Sequence, residues 1–302
     1  MRVKRVTNEF SQAVFNLPWL VAQDEGLFAP EGIEVEFLRA RQWDPTRAPE
    51  PDPRQVDPFW RHAPFEERAA AAFNACEWGQ VHRSQISAVG GRIIQLRAAV
   101  ACQAIFVRPD SALTHPQALR DKTIAVNFHA GSHYLTLQLL EGFMERDAIR
   151  VVHLGQAERR YQAMRDGEVD AAMLMEPYIA LAEKQGCHEI IAGFYVGSEM
   201  FAPEVDADTA AALNRAVGKA VALINADKRK YLHHLIADVP AQHRALLTAE
   251  DFHLPRLRYV QPRPYPVQEF ERTYQWMRSW DLIPEGAAYD RLVDARVGSA
   301  TE

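Results

Sequence analysis

Three histidines, one cysteine and one glycine–serine turn are the residues of this sequence best suited to chemistry. Histidine changes charge near neutral pH without help, so several imidazoles at one cleft suit proton transfer. His82, His129 and His133 flank two candidate binding loops, and His129 and His133 are the candidate acid–base groups. With 11 histidines in the chain, some clustering also arises by chance. Cys76 is a candidate nucleophile if an adjacent base or helix terminus lowers its thiol pKa. Its plainer reading is a small buried thiol. Gly131-Ser132-His133 opens a helix. Free backbone N–H groups there favour an anion, glycine lets a ligand approach the backbone, and Ser132 adds a hydroxyl. A serine that only caps the helix is the alternative. His129-x3-His133 has metal-ligand spacing on a helix, but Gly131 lies between them and no third ligand is evident, so no metal is expected.

Those side chains need elements to hold them. Residues 3–7 are rich in β-branched types and predict a strand. Phe15, Trp19, Leu20 and Leu27 recur at near-helical spacing, which predicts a helix ending at Gly26. Residues 33–38 alternate apolar and acidic, a second strand. Residues 41–64 hold Pro45, Pro49, Pro51, Pro53, Pro58 and Pro64. That density forbids helix and sheet interior and predicts an extended loop or flap; irregular segments of this length are often functional. A helix over 65–72, a strand end at 75–78 and a helix over 81–88 closed by Gly90-Gly91 follow. Strands at 93–100, 104–107 and 123–126, a loop at 127–132 and a helix over 134–144 come next. Strand, helix and strand then recur at 151–154, 157–165 and 171–175, with a helix at 179–184 and a strand at 189–192. Such alternation predicts parallel α/β layers. From Asp206 onward helices dominate, at 210–224, 228–236 and 269–280.

A chain of 302 residues exceeds one ordinary core and suits two lobes. Its 48% hydrophobic and 25% charged residues are a globular composition. The 34 basic and 40 acidic residues are well mixed, so no basic footprint for nucleic acid exists. No apolar run approaches the length that spans a bilayer, so no membrane insertion is expected. Cys76, Cys102 and Cys187 are widely spaced and odd in number, which gives neither a disulfide framework nor a zinc motif. They fit a reducing compartment. The start, Met1-Arg2-Val3-Lys4-Arg5-Val6-Thr7, is basic, but Asn8, Glu9, Ser11 and Gln12 interrupt the apolar stretch a secretory signal needs. This reading makes the chain cytoplasmic; a trimmed signal with an added methionine would make it periplasmic.

Leu20-Val21-Ala22-Gln23-Asp24-Glu25-Gly26-Leu27-Phe28, followed by Glu31-Gly32-Ile33-Glu34-Val35, is similar to the opening helix and G-I-x-V strand of the nitrate/sulfonate/taurine-type solute-binding proteins, and further stretches resemble that family in the same order. Ile105-Phe106-Val107-Arg108-Pro109-Asp110-Ser111 and then Leu119-Arg120-Asp121-Lys122-Thr123-Ile124-Ala125-Val126 resemble its lobe crossover and the first strand of its second lobe. Ala130-Gly131-Ser132 resembles its ligand-binding loop. Gly167-Glu168-Val169-Asp170-Ala171-Ala172-Met173 through Glu176-Pro177-Tyr178 resembles its G-x-V-D-A strand and E-P loop. Tyr289-Asp290-Arg291-Leu292-Val293-Asp294 resembles its C-terminal end. The match covers most of the chain; the proline loop at 41–64 departs from it.

The resemblance implies an α/β, two-lobed periplasmic-binding-protein type II fold with hinge crossovers between lobes and a helical C-terminal region. Lobe 1 would comprise 1–103 and 194–302, and lobe 2 would comprise 104–193. Ligand would sit between them, at strand C-termini and helix N-termini, as in open α/β sheets generally. Phe15, Asn16 and Trp19, after the first strand, would touch it; otherwise Phe15 and Trp19 are core. Asn74-Ala75-Cys76-Glu77-Trp78-Gly79 would face the same cleft, with Trp78 a stacking surface for a planar ligand and Glu77 a ligand contact or merely exposed. Gly131 and Ser132 would hold the ligand from the second lobe. Glu176 and Tyr178 would reach it from the E-P loop, unless Glu176 only fixes that loop.

Two functions fit. One is a cytosolic enzyme of lyase, desulfinase or decarboxylase type. The fold hosts aromatic sulfinate desulfinases, dihydroxyphthalate decarboxylases, menaquinone-pathway lyases and thiamine-pyrimidine synthases. Neither the desulfinases' arginine-x-glycine-glycine motif nor the synthases' cysteine cluster is present. The other is the substrate-binding receptor of an ABC importer, with the permease as partner. Compartment and histidines favour the enzyme. Neither needs a cofactor, and the lobes are expected to close on a small-molecule ligand.

Overall fold

The computed structural model describes residues 3–294. Met1 and Arg2, part of the basic start, lie outside the described residues. β1 (Lys4–Phe10) leads into α1 (Ala13–Asp24), which stops at left-handed Gly26, and β2 (Ile33–Arg39) follows. Next come α2 (Ala63–Glu66), β3 (Ala72–Cys76), α3 (Glu77–Ile86) and β4 (Arg92–Val107). β5 (Thr123–Val126), α4 (Gly131–Leu140), β6 (Arg150–His153), α5 (Ala157–Arg165), β7 (Ala171–Met175), α6 (Tyr178–Lys184) and β8 (His188–Phe201) continue the alternation. The C-terminal region holds α7 (Ala207–Ala226), α8 (Leu232–Ala237), α9 (Ala241–Arg244), β9 (Arg258–Tyr259), α10 (Val267–Ser279) and α11 (Tyr289–Leu292).

The strands form one sheet in the order β2-β1-β3-β8-β4-β7-β5-β6, with β9 on β4. Its two ends are parallel: β1 with β2 and β3, and β5 with β6 and β7. Its middle is antiparallel, because β4 and β8 run between the lobes in opposite directions. The parallel α/β layers expected from the alternation form the two ends of the sheet, and an antiparallel middle joins them. β4 and β8 pair from Arg92↔Phe201 to Val107↔His188, with irregularities at Ile93/Gln95, Leu96/Val100 and Ile105/Phe106. The lobe boundaries drawn from the sequence, 103/104 and 193/194, fall within this ladder at Gln103↔Gly193 and Ala104↔Ala192.

Four expectations are corrected. The strands expected at 93–100 and 104–107 are one strand, and the strand expected at 189–192 runs on to Phe201. Polar residues break the apolar run in the sequence, but in the sheet they are buried and bonded: Gln95 Nε2 donates to Glu199, and Gln103 Nε2 donates to Tyr195 Oη. The helix expected over 65–72 is a single turn, Ala63–Glu66, followed by left-handed Arg68 and then β3. Trp78, expected at a strand end, belongs to α3. Alternation along β4 sends Ala104 and Phe106 to one core cluster and Ile105 and Val107 to the other.

Candidate functional site

A cavity of about 50 Å³ lies between the lobes, where β1, β3, the β5–α4 loop and the middle of β4 and β8 meet. Three arginines line it: Arg61 from the proline loop, Arg97 from β4 and Arg160 from α5. None of the lining residues is an aspartate or glutamate. All three side chains are buried. Arg61 Nη2 donates to Ser11 O, Arg97 Nε to Ala99 O with Nη1 to Asn74 Oδ1, and Arg160 Nε to Met173 O. Each still keeps one terminal nitrogen buried without a hydrogen-bond partner: Nη1 of Arg61, Nη2 of Arg97 and Nη2 of Arg160. Burial lowers the pKa of Arg160 to about 9 and lowers that of Arg61, and both groups stay cationic at neutral pH. Unpaired buried cations are costly, so three around one space demand a negative charge there.

A carboxyl–imidazole pair stands at the same wall. His62 lines the cavity, stacks on Phe73 with ring centroids 4.4 Å apart, and its Nδ1 lies 2.5 Å from Glu9 Oε1. Burial pushes the Glu9 carboxyl up to about 8 and holds His62 well below the usual histidine range. At neutral pH the pair therefore holds protons but no imidazolium. The carboxyl fixes the ring through Nδ1, the arrangement that orients an acid–base histidine.

The proline loop is a strap across the two lobes. Trp43 N–H donates to Gln156 Oε1, Gln156 Nε2 returns a bond to Trp43 O, and Arg159 Nε donates to Pro45 O. Glu50 and His153 exchange backbone bonds at 3.2 and 2.8 Å. Trp60 Nε1 donates to Asn127 Oδ1, and His129 Nε2 donates to Pro53 O. Trp43 seats on Gly155, where an added Cβ would come within 2.4 Å of its own. Arg61 and His62 lie at the far end of this strap, so the loop that covers the cavity also supplies two of its walls.

Five of the residues singled out from the sequence line the cavity: Phe15, Asn74, Cys76, Gly131 and Ser132. Asn74 is held by Asn16, whose Oδ1 accepts from Asn74 Nδ2 at 2.8 Å, so Asn16 stands one layer behind. Gly131 begins α4, which no side chain caps, and a Cβ there would sit 2.1 Å from Tyr195 Oη. Ser132 Oγ accepts from Asn127 N–H at 2.8 Å and so ties the loop that precedes the helix. Cys76 Sγ accepts from Gly79 N–H, and burial pushes its thiol up to about 11, which leaves it protonated.

The others face elsewhere. Trp19 is buried and donates to Glu199 Oε1. Glu77 accepts from Tyr265 Oη, and burial pushes its carboxyl up to about 7. Trp78 packs among Tyr134, Tyr195 and Trp276. Glu176 Oε2 accepts from Ala180 N–H at the start of α6, and Tyr178 packs on Tyr161. His129 and His133 lie beneath the strap and outside the cavity wall, with His82 and His153 close by. Burial holds His82 at about 4, His133 at about 3 and His153 at about 3, and lowers His129. The expectation that these rings titrate near neutral pH is corrected: desolvation keeps them neutral. Sequence reasoning missed Arg61, Arg97, Arg160, His62 and Glu9. Arg97 carried a signal, a lone charge inside the apolar stretch 93–107, and Glu9 another, a carboxylate at the end of the first strand.

No known family and no curated protein matches the sequence. Solved structures match over nearly all of it. The alkanesulfonate-binding protein SsuA from Xanthomonas axonopodis pv. citri, bound to MOPS, superposes with a TM-score of 0.75 at 15% identity, covering 97% of this chain and 99% of that one. The ligand-binding component of an ABC-type import system from Staphylococcus aureus gives 0.74 at 12% identity, with 99% of both chains covered. The desulfurization enzyme DSZB gives 0.63 at 16% identity over 98% of both. Binding proteins and an enzyme thus share one architecture, and the chain has the two-lobed periplasmic-binding-protein fold of the SsuA type.

Proposed function

We propose that this protein binds a small organic anion, a carboxylate, sulfonate or sulfinate, in the cavity between its lobes. The observation that carries this reading is the set of three buried arginines, each with an unpartnered terminal nitrogen, around a space without a carboxylate. Planar guanidinium groups match the paired oxygens of such anions. The uncapped N-terminus of α4 adds backbone N–H groups of the same preference.

The reading goes further, to an enzyme of lyase type that acts on that anion. Support comes from the Glu9–His62 pair beside the arginines and from the strap that covers it. Loss of a carboxylate or sulfinate group leaves an electron pair on carbon, and a proton delivered there completes the exchange. The neutral His62 ring can give its Nε2 proton to that carbon as the Glu9 carboxyl proton passes to Nδ1, so no imidazolium is required. His129, His133 and Cys76 have no part in this version. A receptor for an importer is the second reading, favoured by the superposition on a sulfonate-binding protein and on a component of an import system. It needs the arginines and an ABC permease, not the proton donor.

One experiment separates them. The purified protein is mixed with short carboxylates, sulfonates and sulfinates; calorimetry reports binding and mass spectrometry reports product. Turnover that falls at least about a hundredfold in His62→Gln, with binding kept, supports the enzyme. Micromolar binding with the anion recovered unchanged supports the receptor. Failure to bind any of the three classes removes both.

A further inference from the structure

α1 and α8 pack against each other on the outside of the first lobe and bring three ligand-type side chains together. His234 Nε2 lies 2.8 Å from Asp24 Oδ2, and His233 Nε2 lies 3.9 Å from the same oxygen. The three atoms fall within 4.8 Å of one another. A tetrahedral zinc ion with its usual bond lengths holds such atoms about 3.3 Å apart, so modest side-chain rotation brings all three into range.

The hydrogen bonding points to a cation. His233 Nδ1 lies 3.0 Å from Lys230 O. A carbonyl can only accept, so Nδ1 carries the proton. Nε2 is then left as an acceptor 3.9 Å from a carboxylate oxygen, too far for a hydrogen bond, and a cation placed between them is ligated by both. A carbonyl on the far nitrogen is also the outer partner that orients metal-binding histidines. Lys230 is engaged by Glu25 at 2.6 Å and leaves the Asp24 charge to the histidines.

We propose that Asp24, His233 and His234 form a surface site for a divalent ion of the zinc class, independent of the anion cavity. Two imidazoles and a carboxylate with a fourth position left to water suit zinc, cobalt or nickel rather than calcium or magnesium, which take oxygen ligands. The ion would pin the C-terminal end of α1 to α8. The other end of α1 is already tied there, through Ala13 N–H to Asp238 Oδ2 at 2.8 Å, and that end carries Phe15 of the cavity wall.

The test uses the metal-free full chain. Zinc is added in a calorimeter, and cobalt is followed by its visible absorption. One ion per chain at micromolar affinity is expected, with the strong absorption of a four-coordinate cobalt site. Asp24→Asn and His233→Ala should each weaken binding at least about tenfold, while His129→Ala leaves it unchanged. Asp24→Asn is isosteric and exposed, and unchanged thermal unfolding without metal shows that the variants fold. Absence of saturable binding below about 1 mM, or affinity unchanged in both site variants, overturns the proposal.

Discussion

The arginines of the cavity and the histidines beneath the strap are buried alike, yet burial does opposite things to them. Arg160 falls to about 9 and keeps its charge; His133 and His153 fall to about 3 and lose theirs. The desolvation cost is of one kind, but guanidinium starts far above neutrality and imidazole starts close to it. A buried arginine therefore remains a demand for an anion. A buried histidine becomes a neutral hydrogen-bonding ring, as His153 does when its Nδ1 accepts from Phe128 N–H. Histidine number is thus a poor guide to charge chemistry here, and the charges that matter sit on residues of a different type.

The contrast breaks most directly at the arginines. Arg160→Gln should weaken anion binding at least about a hundredfold, roughly 3 kcal/mol, while the unliganded protein becomes no less stable, because an uncompensated buried charge is gone. Calorimetry with denaturant unfolding reads both; unchanged affinity would sink the anion assignment. Gly131→Ala comes next. Its Cβ would meet Tyr195 Oη at 2.1 Å, so either Tyr195 or α4 must shift, at roughly 2 kcal/mol in affinity. Binding like the parent's would detach the α4 terminus from the site.

The histidine side is sharpened by pH. His133 has a folded value of about 3 against an ordinary 6.5. The unfolded chain takes up that proton first, so the contribution is complete above about 6.5 and is lost as pH falls toward 3. Glu9, raised to about 8, and Glu77 and Glu176, each raised to about 7, have the opposite sign and lose stability as pH rises from about 4.5. The difference between parent and variant isolates the histidine. From pH 7.5 to 5.5, His133→Phe should gain about 1.4 kcal/mol relative to the parent in urea unfolding. A flat difference would mean that His133 takes up its proton in the fold at the same pH as in the unfolded chain. The smallest effect belongs to Ser132→Ala. It removes one neutral hydrogen bond to Asn127 N–H and should cost about 1 kcal/mol in stability. A larger loss confined to binding would make Ser132 a direct ligand contact.

Much of the fold was legible because local pattern and global structure agree in the second lobe. β5, α5 and β7 lie where the spacing predicts them, each short and flanked by turn residues. β4 and β8 were not, because β4 carries polar residues where it passes the cavity and the buried Glu199. Gln95, Arg97 and Gln103 read locally as interruptions. The loop 130–132 was singled out by the resemblance of Ala130-Gly131-Ser132 to the family's ligand-binding loop together with the helix start, and it lines the cavity. His62 and Arg61 were hidden because their value depends on where the proline loop lands. Nothing within 41–64 records that it crosses to Gln156 and His153.

That crossing has a kinetic consequence. The strap holds the second lobe by backbone and side-chain bonds at Trp43, Pro45, Glu50, Pro53 and Trp60, and it must let go before a ligand larger than the cavity can pass. Association should then be gated: the observed rate rises with ligand concentration only until release of the strap becomes limiting, and then levels off. Trp43→Ala should raise that plateau and shorten residence time together. An occupant that enters slowly through such a gate also leaves slowly, so the strap sets how long the cavity stays filled.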